Sequence, residues 1–540
     1  MAGITAKVTN TFETTNNESA HNVRTQSTLP AAASGRCIGA GCSVGPGIVL
    51  NIGRGAKLTA ERVEAFATDA ESRVRFTDAA RDAMAQSAQW LLMAQHRGEP
   101  VYGLTTGFGP HVKYAADADS NKQGEGLICH LAAGYGRLAT AEIVRATMLI
   151  RAHTIGAGGS GIDPATADAF AALLHSGLTA AVPELGSVGA SGDLIPLSHI
   201  ARVMLGTGSV VVDGKAEACA GHLAVAGFNP ISLSGRDALA LVNGTAFMTA
   251  YAAIALARAE RLVRRAEGVT GWIYRLLGAR EQALDPRLHA ARGYEGQCRS
   301  AAMIRAEAEC FGPWEDTSRP LQEVYSLRCA PQILGACRDQ LTYARQTIER
   351  ELNGINDNPV ITGPEAGAVL HGGNFQGQQL AFAADMINTA SVQAAILIER
   401  QLDVLCNPDL SGGPLLLAWN PGATSGFAGA QITASSLIAE MRQHQGPCAT
   451  ASIPTNGRNQ DIVSMGTMAA RHAMNQTERL SAVVAISAMA TAQLSYLRRK
   501  GRAEGSPAQN PAWFPEFVPI NEDRPLMDDI QRIATAWLRG

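Results

Sequence analysis

The run GSVGASGDLIPLSH, from Gly186 to His199, holds three consecutive small residues, Ala190, Ser191 and Gly192, that can do chemistry on themselves. In a glycine-rich turn little side-chain bulk keeps a backbone amide away from the carbonyl two residues back. Attack of the Gly192 nitrogen on the Ala190 carbonyl, with loss of two waters, would close a five-membered ring and turn Ser191 into a dehydroalanine. The product is an electrophile built from the chain itself, suited to taking up an amino nitrogen and making it a better leaving group. Other residues have types that suit such a reaction. Tyr102, in YGLTTGFG, carries a phenol. Arg328, in YSLRC, offers a planar two-point clamp for a carboxylate that lysine cannot reproduce. Taken singly, a small-residue loop is ordinarily a turn, a tyrosine a buried phenol and an arginine a solvated surface group.

The set is more specific than its members. In order along the chain stand YGLTTGFG from Tyr102, the Ala190-Ser191-Gly192 run, LVNGT from Leu241, YSLRCAPQILG from Tyr325, NDNP from Asn356, GGNFQG from Gly372 and RNQDIVSMG from Arg458. These segments resemble the motifs of the aromatic amino acid ammonia-lyase and aminomutase family, and among its members they are most similar to bacterial tyrosine ammonia-lyases. The resemblance implies the prosthetic group 4-methylideneimidazol-5-one (MIO), formed from Ala190, Ser191 and Gly192, with no external cofactor and no metal. It implies Tyr102 as the base that removes the β proton, Tyr325 in proton handling or orientation, and Arg328 on the substrate carboxylate. Asn243 and Gln460 are expected to hold the ring oxygen with their amides, and Phe375 to line the site. The phenol ordinarily has a pKa of about 10, so Tyr102 is expected to need depression by helix N-termini or cations to act at neutral pH. Asp193 is a candidate helper of cyclisation, with an N-cap role equally open to it.

Substrate choice falls on His130-Leu131 in ICHLAAGYG. Tyrosine lyases resemble this pair, phenylalanine lyases usually have Phe-Leu there and histidine lyases Ser-His. An imidazole can bond a para hydroxyl, which a phenyl ring cannot do. Asn456 also fits the tyrosine-lyase pattern. Gln376 is as in phenylalanine lyases, and Ala428, in SGFAGAQ, resembles some tyrosine aminomutases. The expected activity is conversion of L-tyrosine to trans-p-coumarate and ammonia, with L-phenylalanine to trans-cinnamate beside it. The alternatives are a tyrosine or phenylalanine 2,3-aminomutase, a phenylalanine-preferring lyase, and a catalytically silent homologue.

Composition fits a small-molecule enzyme. Lys+Arg number 45 against 48 Asp+Glu, a formal charge of -3, which excludes a basic nucleic-acid field. Ten cysteines without CxxC or zinc spacing suggest reduced thiols in a cytoplasm. Lys122 and Lys500 lack the context of a Schiff-base lysine. Residues 1–47 are polar and lack an apolar core, and read as a disordered leader holding Cys37 and Cys42. Residues 48–230 are expected to form a smaller, loop-rich domain bearing the Ala190-Ser191-Gly192 loop. It begins with a strand at 48–52 and a helix capped by Thr59. Residues 231–500 hold Ala-rich stretches expected to form a central bundle of long helices, at 246–268, 339–353, 378–405 and 465–499. Residues 501–540 form a C-terminal segment ending in a helix near 528–538. The fold class is therefore mainly α, with short strands at 206–214 and 367–371. The apolar segment 480–497, interrupted by Gln493, reads as a packed helix and not a membrane span. Family resemblance implies a homotetramer whose sites combine residues of several chains.

Overall fold

Five helices, Ala246–Leu277, Glu295–Glu309, Ala330–Leu352, Gln378–Cys406 and Gly466–Leu497, form the body of the protein. The computed structural model describes residues 47–312, 314, 319–363, 367–499 and 510–539. The expected leader, with Cys37 and Cys42, lies outside them up to residue 46, as does Lys500. The alanine content explains both the length of these helices and their spacing. Alanine loses no side-chain entropy in a helix, and glycines bring neighbouring backbones together. A Cβ on Gly335 would strike the Gln297 backbone, and one on Gly271 the Ile304 carbonyl. The helix Glu295–Glu309, whose apolar spacing is weak, was not anticipated from the sequence. The other four lie where they were expected, the first two running further than the Ala-rich stretches.

Gln378–Cys406 and Gly466–Leu497 are apolar and long enough to cross a membrane, but 67% and 83% of their most apolar windows are buried in the protein. Gln493 explains its own presence in the second. It is fully buried, its amide nitrogen donates to the Ile520 carbonyl at 2.8 Å, and the Ile520 N–H donates to its oxygen at 2.8 Å. One polar side chain thus ties the C-terminal segment to the bundle, where Ile533 and Trp537 of the Met527–Arg539 helix are buried.

Residues before 230 form shorter helices and three two-stranded pairs. Val49–Ile52 runs parallel to Arg73–Phe76, while Tyr135–Leu138 pairs with Pro183–Leu185 and Ser209–Val212 with Lys215–Ala218, both antiparallel. Thr59 caps the Ala60–Thr68 helix as anticipated, accepting from Arg62 N. A fourth pair, Val360–Thr362 with Ala368–Leu370, lies among the later helices. One hydrophobic cluster runs from Ile52 to Trp537, so the loop-rich part and the bundle share a core.

Where the two parts meet, charge is buried. Asp357 lies 3.3 Å from Arg151 and 3.2 Å from Arg236, and all three side chains are at most 3% exposed. Arg151 Nε donates to the Ala240 carbonyl at 2.9 Å, and Asn356 donates to Thr245 at 2.9 Å. The NDNP motif is thereby the brace of the LVNGT motif. Replacing Asp357 with alanine leaves two buried guanidinium groups without their carboxylate. A loss of about 3–5 kcal/mol is expected from such a break, read as a lowered midpoint in denaturant unfolding.

Candidate active site

The Ala190-Ser191-Gly192 tripeptide is held by backbone crossings. Gly192 has φ +68°, a left-handed value open to glycine. A Cβ there would overlap the Gly244 carbonyl oxygen, to which the Asp193 N–H donates at 2.8 Å. Ala190 pairs with Gly192 itself, and Gly192 with Gly244, so the loop is folded back on its own chain. The Met465 N–H donates to the Val188 carbonyl at 3.0 Å, closing the other side.

Asp193 does not cap the helix it precedes, Leu194–Met204. Its carboxylate instead accepts from Met248 N at 2.8 Å, at the start of Ala246–Leu277, from Thr467 Oγ1 at 2.6 Å, at the start of Gly466–Leu497, and from Ser187 Oγ at 2.9 Å. It is fully buried, and burial lifts it to about 6 despite these donors. Gly377, before Gln378–Cys406, lies against Met248 and Ser464. Three long helices and one short one therefore begin around the tripeptide, with the positive ends of their dipoles gathered there. Such a site favours negative charge on whatever the loop carries.

The loop faces a cavity of about 840 Å³, within the usual range of small-molecule sites, roughly 300–1,000 Å³. Its lining includes Tyr102, His130, Leu131, Ala190, Ser191, Gly192, Asn243, Phe375, Asn456 and Gln460. Asn243 is 3% exposed, and its Nδ2 donates to the Ser191 carbonyl oxygen at 3.3 Å, the oxygen a closed ring would retain. Its Oδ1 is buried without a partner and suits an incoming N–H donor. Gln460 departs from expectation. Its Nε2 donates to Ser191 Oγ at 3.1 Å, the hydroxyl and not the ring oxygen. The folded-back loop, the Gly192 cradle and the Asn243 amide fit a MIO group made from these residues.

Tyr102 also departs from expectation. Its phenolic oxygen accepts the Gly109 N–H at 2.8 Å. Burial nevertheless raises its pKa above the ordinary value, outweighing that donor and the charge of Arg236. His371 Nε2 accepts the Tyr102 backbone N–H at 3.1 Å and fixes the residue from behind. Asn456, with φ +51°, places its amide against Gly109. Gln376 bonds its own helix start, accepting from Gln378 N at 2.7 Å.

Tyr325 and Arg328 are not in this cavity. Arg328 Nε donates to the Glu323 carbonyl at 2.9 Å, its guanidinium lies 4.6 Å over the Tyr325 ring, and Tyr325 is 69% exposed. Of the residues sequence reasoning missed, Thr455 and Asn459 line the cavity. Thr455 Oγ1 donates to Gln460 Oε1 at 2.7 Å, and its backbone N–H to the Gln460 carbonyl at 2.9 Å. Thr455 stands ahead of the RNQDIVSMG motif, and Asn459 lies inside it beside Gln460 without a residue type that marks it out.

The family profile described as "Aromatic amino acid lyase" matches residues 58–513. The chain belongs to the aromatic amino acid lyase family. A histidine ammonia-lyase of Treponema denticola is 36% identical over 88% of this chain and 94% of its own. A tyrosine ammonia-lyase of Cupriavidus metallidurans is 38% identical over 82% and 87%. The crystal structure of a tyrosine aminomutase from Streptomyces globisporus superposes with a TM-score of 0.83 at 33% identity, over 91% of this chain and 97% of that one. Its all-helical kin share the bundle described above, and an aromatic amino acid ammonia-lyase or aminomutase activity follows from the family.

The raised Tyr102 pKa gives a testable sign for a lyase of this family. If the phenolate is the base, its fraction grows tenfold for each pH unit below its pKa, so kcat/KM should rise from neutral into alkaline pH. Tyr102→Phe should abolish turnover at every pH, and both are read from product formation across a pH series.

Proposed function

We propose that the protein is a tyrosine ammonia-lyase, releasing trans-p-coumarate and ammonia from L-tyrosine and accepting L-phenylalanine as a second substrate. The observation that carries this reading is the state of His130. Its Nδ1 lies 3.0 Å from the Gly126 carbonyl oxygen, which can only accept, so Nδ1 bears the proton. In the neutral ring Nε2 is then a bare acceptor on the cavity that also holds the Ser191 loop. A para hydroxyl is the partner it fits. Leu131 and Phe375 supply apolar walls for the ring of the substrate.

The MIO group supplies an electrophile for the amino nitrogen. Asn243 holds the Ser191 oxygen and offers its vacant Oδ1 to the substrate's N–H. Tyr102 takes the β proton. Arg328 clamps the carboxylate from another copy of the chain in a homotetramer, since it stands away from the cavity of its own. Exposed apolar side chains beside these groups favour such assembly, Leu321 near Tyr325, and Ile453 and Ile462 around the turn that carries Gln460. The second reading, a tyrosine 2,3-aminomutase, draws on the likeness to the Streptomyces globisporus enzyme. It uses the same residues and differs in how long the product is retained.

Incubation of the purified protein with L-tyrosine, L-phenylalanine and L-histidine, followed by chromatography, decides among these. Coumarate forming fastest is the expected result, accumulating β-tyrosine moves the assignment to the aminomutase, and urocanate as main product refutes the tyrosine reading. In His130→Phe, preference for tyrosine over phenylalanine should fall by about tenfold, the worth of one hydrogen bond.

Division of the site between chains is tested by co-expressing Tyr102→Phe with Arg328→Ala. Each variant alone is expected to be inactive. Mixed tetramers should regain activity at those sites that draw both intact residues, whereas no recovery would place Tyr102 and Arg328 of one chain in one site.

A further inference from the structure

The two amides beside Ser191 address different oxygens. Asn243 Nδ2 meets the carbonyl oxygen, which ring closure keeps, and Gln460 Nε2 meets Oγ, which ring closure discards. Gln460 is itself held. Thr455 Oγ1 donates to its Oε1 at 2.7 Å, leaving the NH2 end turned to Ser191, and the paired backbones of Thr455 and Gln460 fix the distance between them. The geometry points to a role for this pair before any substrate binds: Gln460, oriented by Thr455, expels the Ser191 hydroxyl in the maturation of the Ala190-Ser191-Gly192 loop. The inference rests on ring formation at this loop.

The chemistry divides into two dehydrations. In the first, the Gly192 nitrogen bonds to the Ala190 carbonyl carbon. The Ala190 oxygen leaves as water with the hydrogens of Gly192 N and Ser191 N, and a C=N bond remains. In the second, the Ser191 Cα–H bond breaks and its electron pair forms the Cα=Cβ bond. The Cβ–Oγ pair departs with the oxygen, and the released proton completes the second water. No oxidant or reductant enters. Negative charge gathers on Oγ in that second step alone, and an N–H donor already aimed at Oγ stabilises it without reorganisation. Gln460 is then a catalytic residue of maturation, and Thr455 a positioning residue that acts through it.

The measurement is the mass of the loop-bearing peptide and the ultraviolet absorbance of the conjugated ring, on full-length soluble protein sampled at successive times after induction. The wild-type chain is expected to be short by two waters. A wild-type chain at its encoded mass removes the ring itself, a failure distinct from that of the Gln460 role. Gln460→Leu is expected to stall one water short, ring closed and hydroxyl kept, without the absorbance. Loss of both waters at the wild-type rate overturns the proposal, and so does loss of none in a soluble chain, which would put Gln460 at ring closure. Thr455→Val decides the matter should Gln460→Leu be insoluble. It should accumulate the one-water species, and Thr455→Ser, which restores the hydroxyl, should return the two-water mass. Equal maturation of both Thr455 variants overturns the proposal.

Discussion

The contact between Gly192 and Gly244 is the constraint on which the site depends. Two backbones approach so closely that neither residue tolerates a Cβ, one facing the other's carbonyl and the other facing Arg151 and Asn356. Because the crossing is made of main chain, it fixes what flanks it on both strands. Ser191 lies on one side and Asn243 on the other, so the amide of Asn243 reaches the Ser191 oxygen as a result of the crossing. The buried Arg151, Arg236 and Asp357 group holds the Gly244 strand in place from below. A charge cluster far from solvent is costly to assemble and costly to break, and here it bears on the one loop whose geometry matters most.

Electrostatics at the loop comes from two opposed sources. Four helix starts gather partial positive charge around it, and Asp193 brings one carboxylate among them. The carboxylate spends its lone pairs on Met248, Thr467 and Ser187, yet burial still raises it to about 6. Desolvation outweighs the helix ends there, and it outweighs the Gly109 donor at Tyr102 as well. Proximity to a helix start is not enough to make an acid strong when the same packing removes water.

Much of the architecture was legible because its signals are local. Ala-rich stretches became long helices, Thr59 became a cap, and ten of the residues singled out by type and motif line one cavity. What was not legible depends on where chain segments meet. The helix Glu295–Glu309 owes its place to glycine contacts with Ala330–Leu352 rather than to a strong apolar stripe. The rise at Tyr102 comes from burial, which a motif does not encode. Tyr325 and Arg328 stand in a motif resembling that of the family, but a motif does not encode that they lie outside the cavity their own chain forms. Gln460 was expected on one oxygen and stands on another less than a residue away, a distinction set by the turn to Thr455.

The position of Asp193 has a consequence for the order of events in the life of the chain. Its partners Met248 and Thr467 lie at the starts of helices separated by more than two hundred residues of sequence, and Gly244 reaches Gly192 from the turn just ahead of the first of them. None of these neighbours is at hand while the polypeptide is still emerging or is only locally ordered. The loop's folded-back shape is thus a property of the completed tertiary structure, and the ring closure proposed above would have to wait for it. On that reading folding comes first and licenses the chemistry, and an unfinished molecule would stay inert.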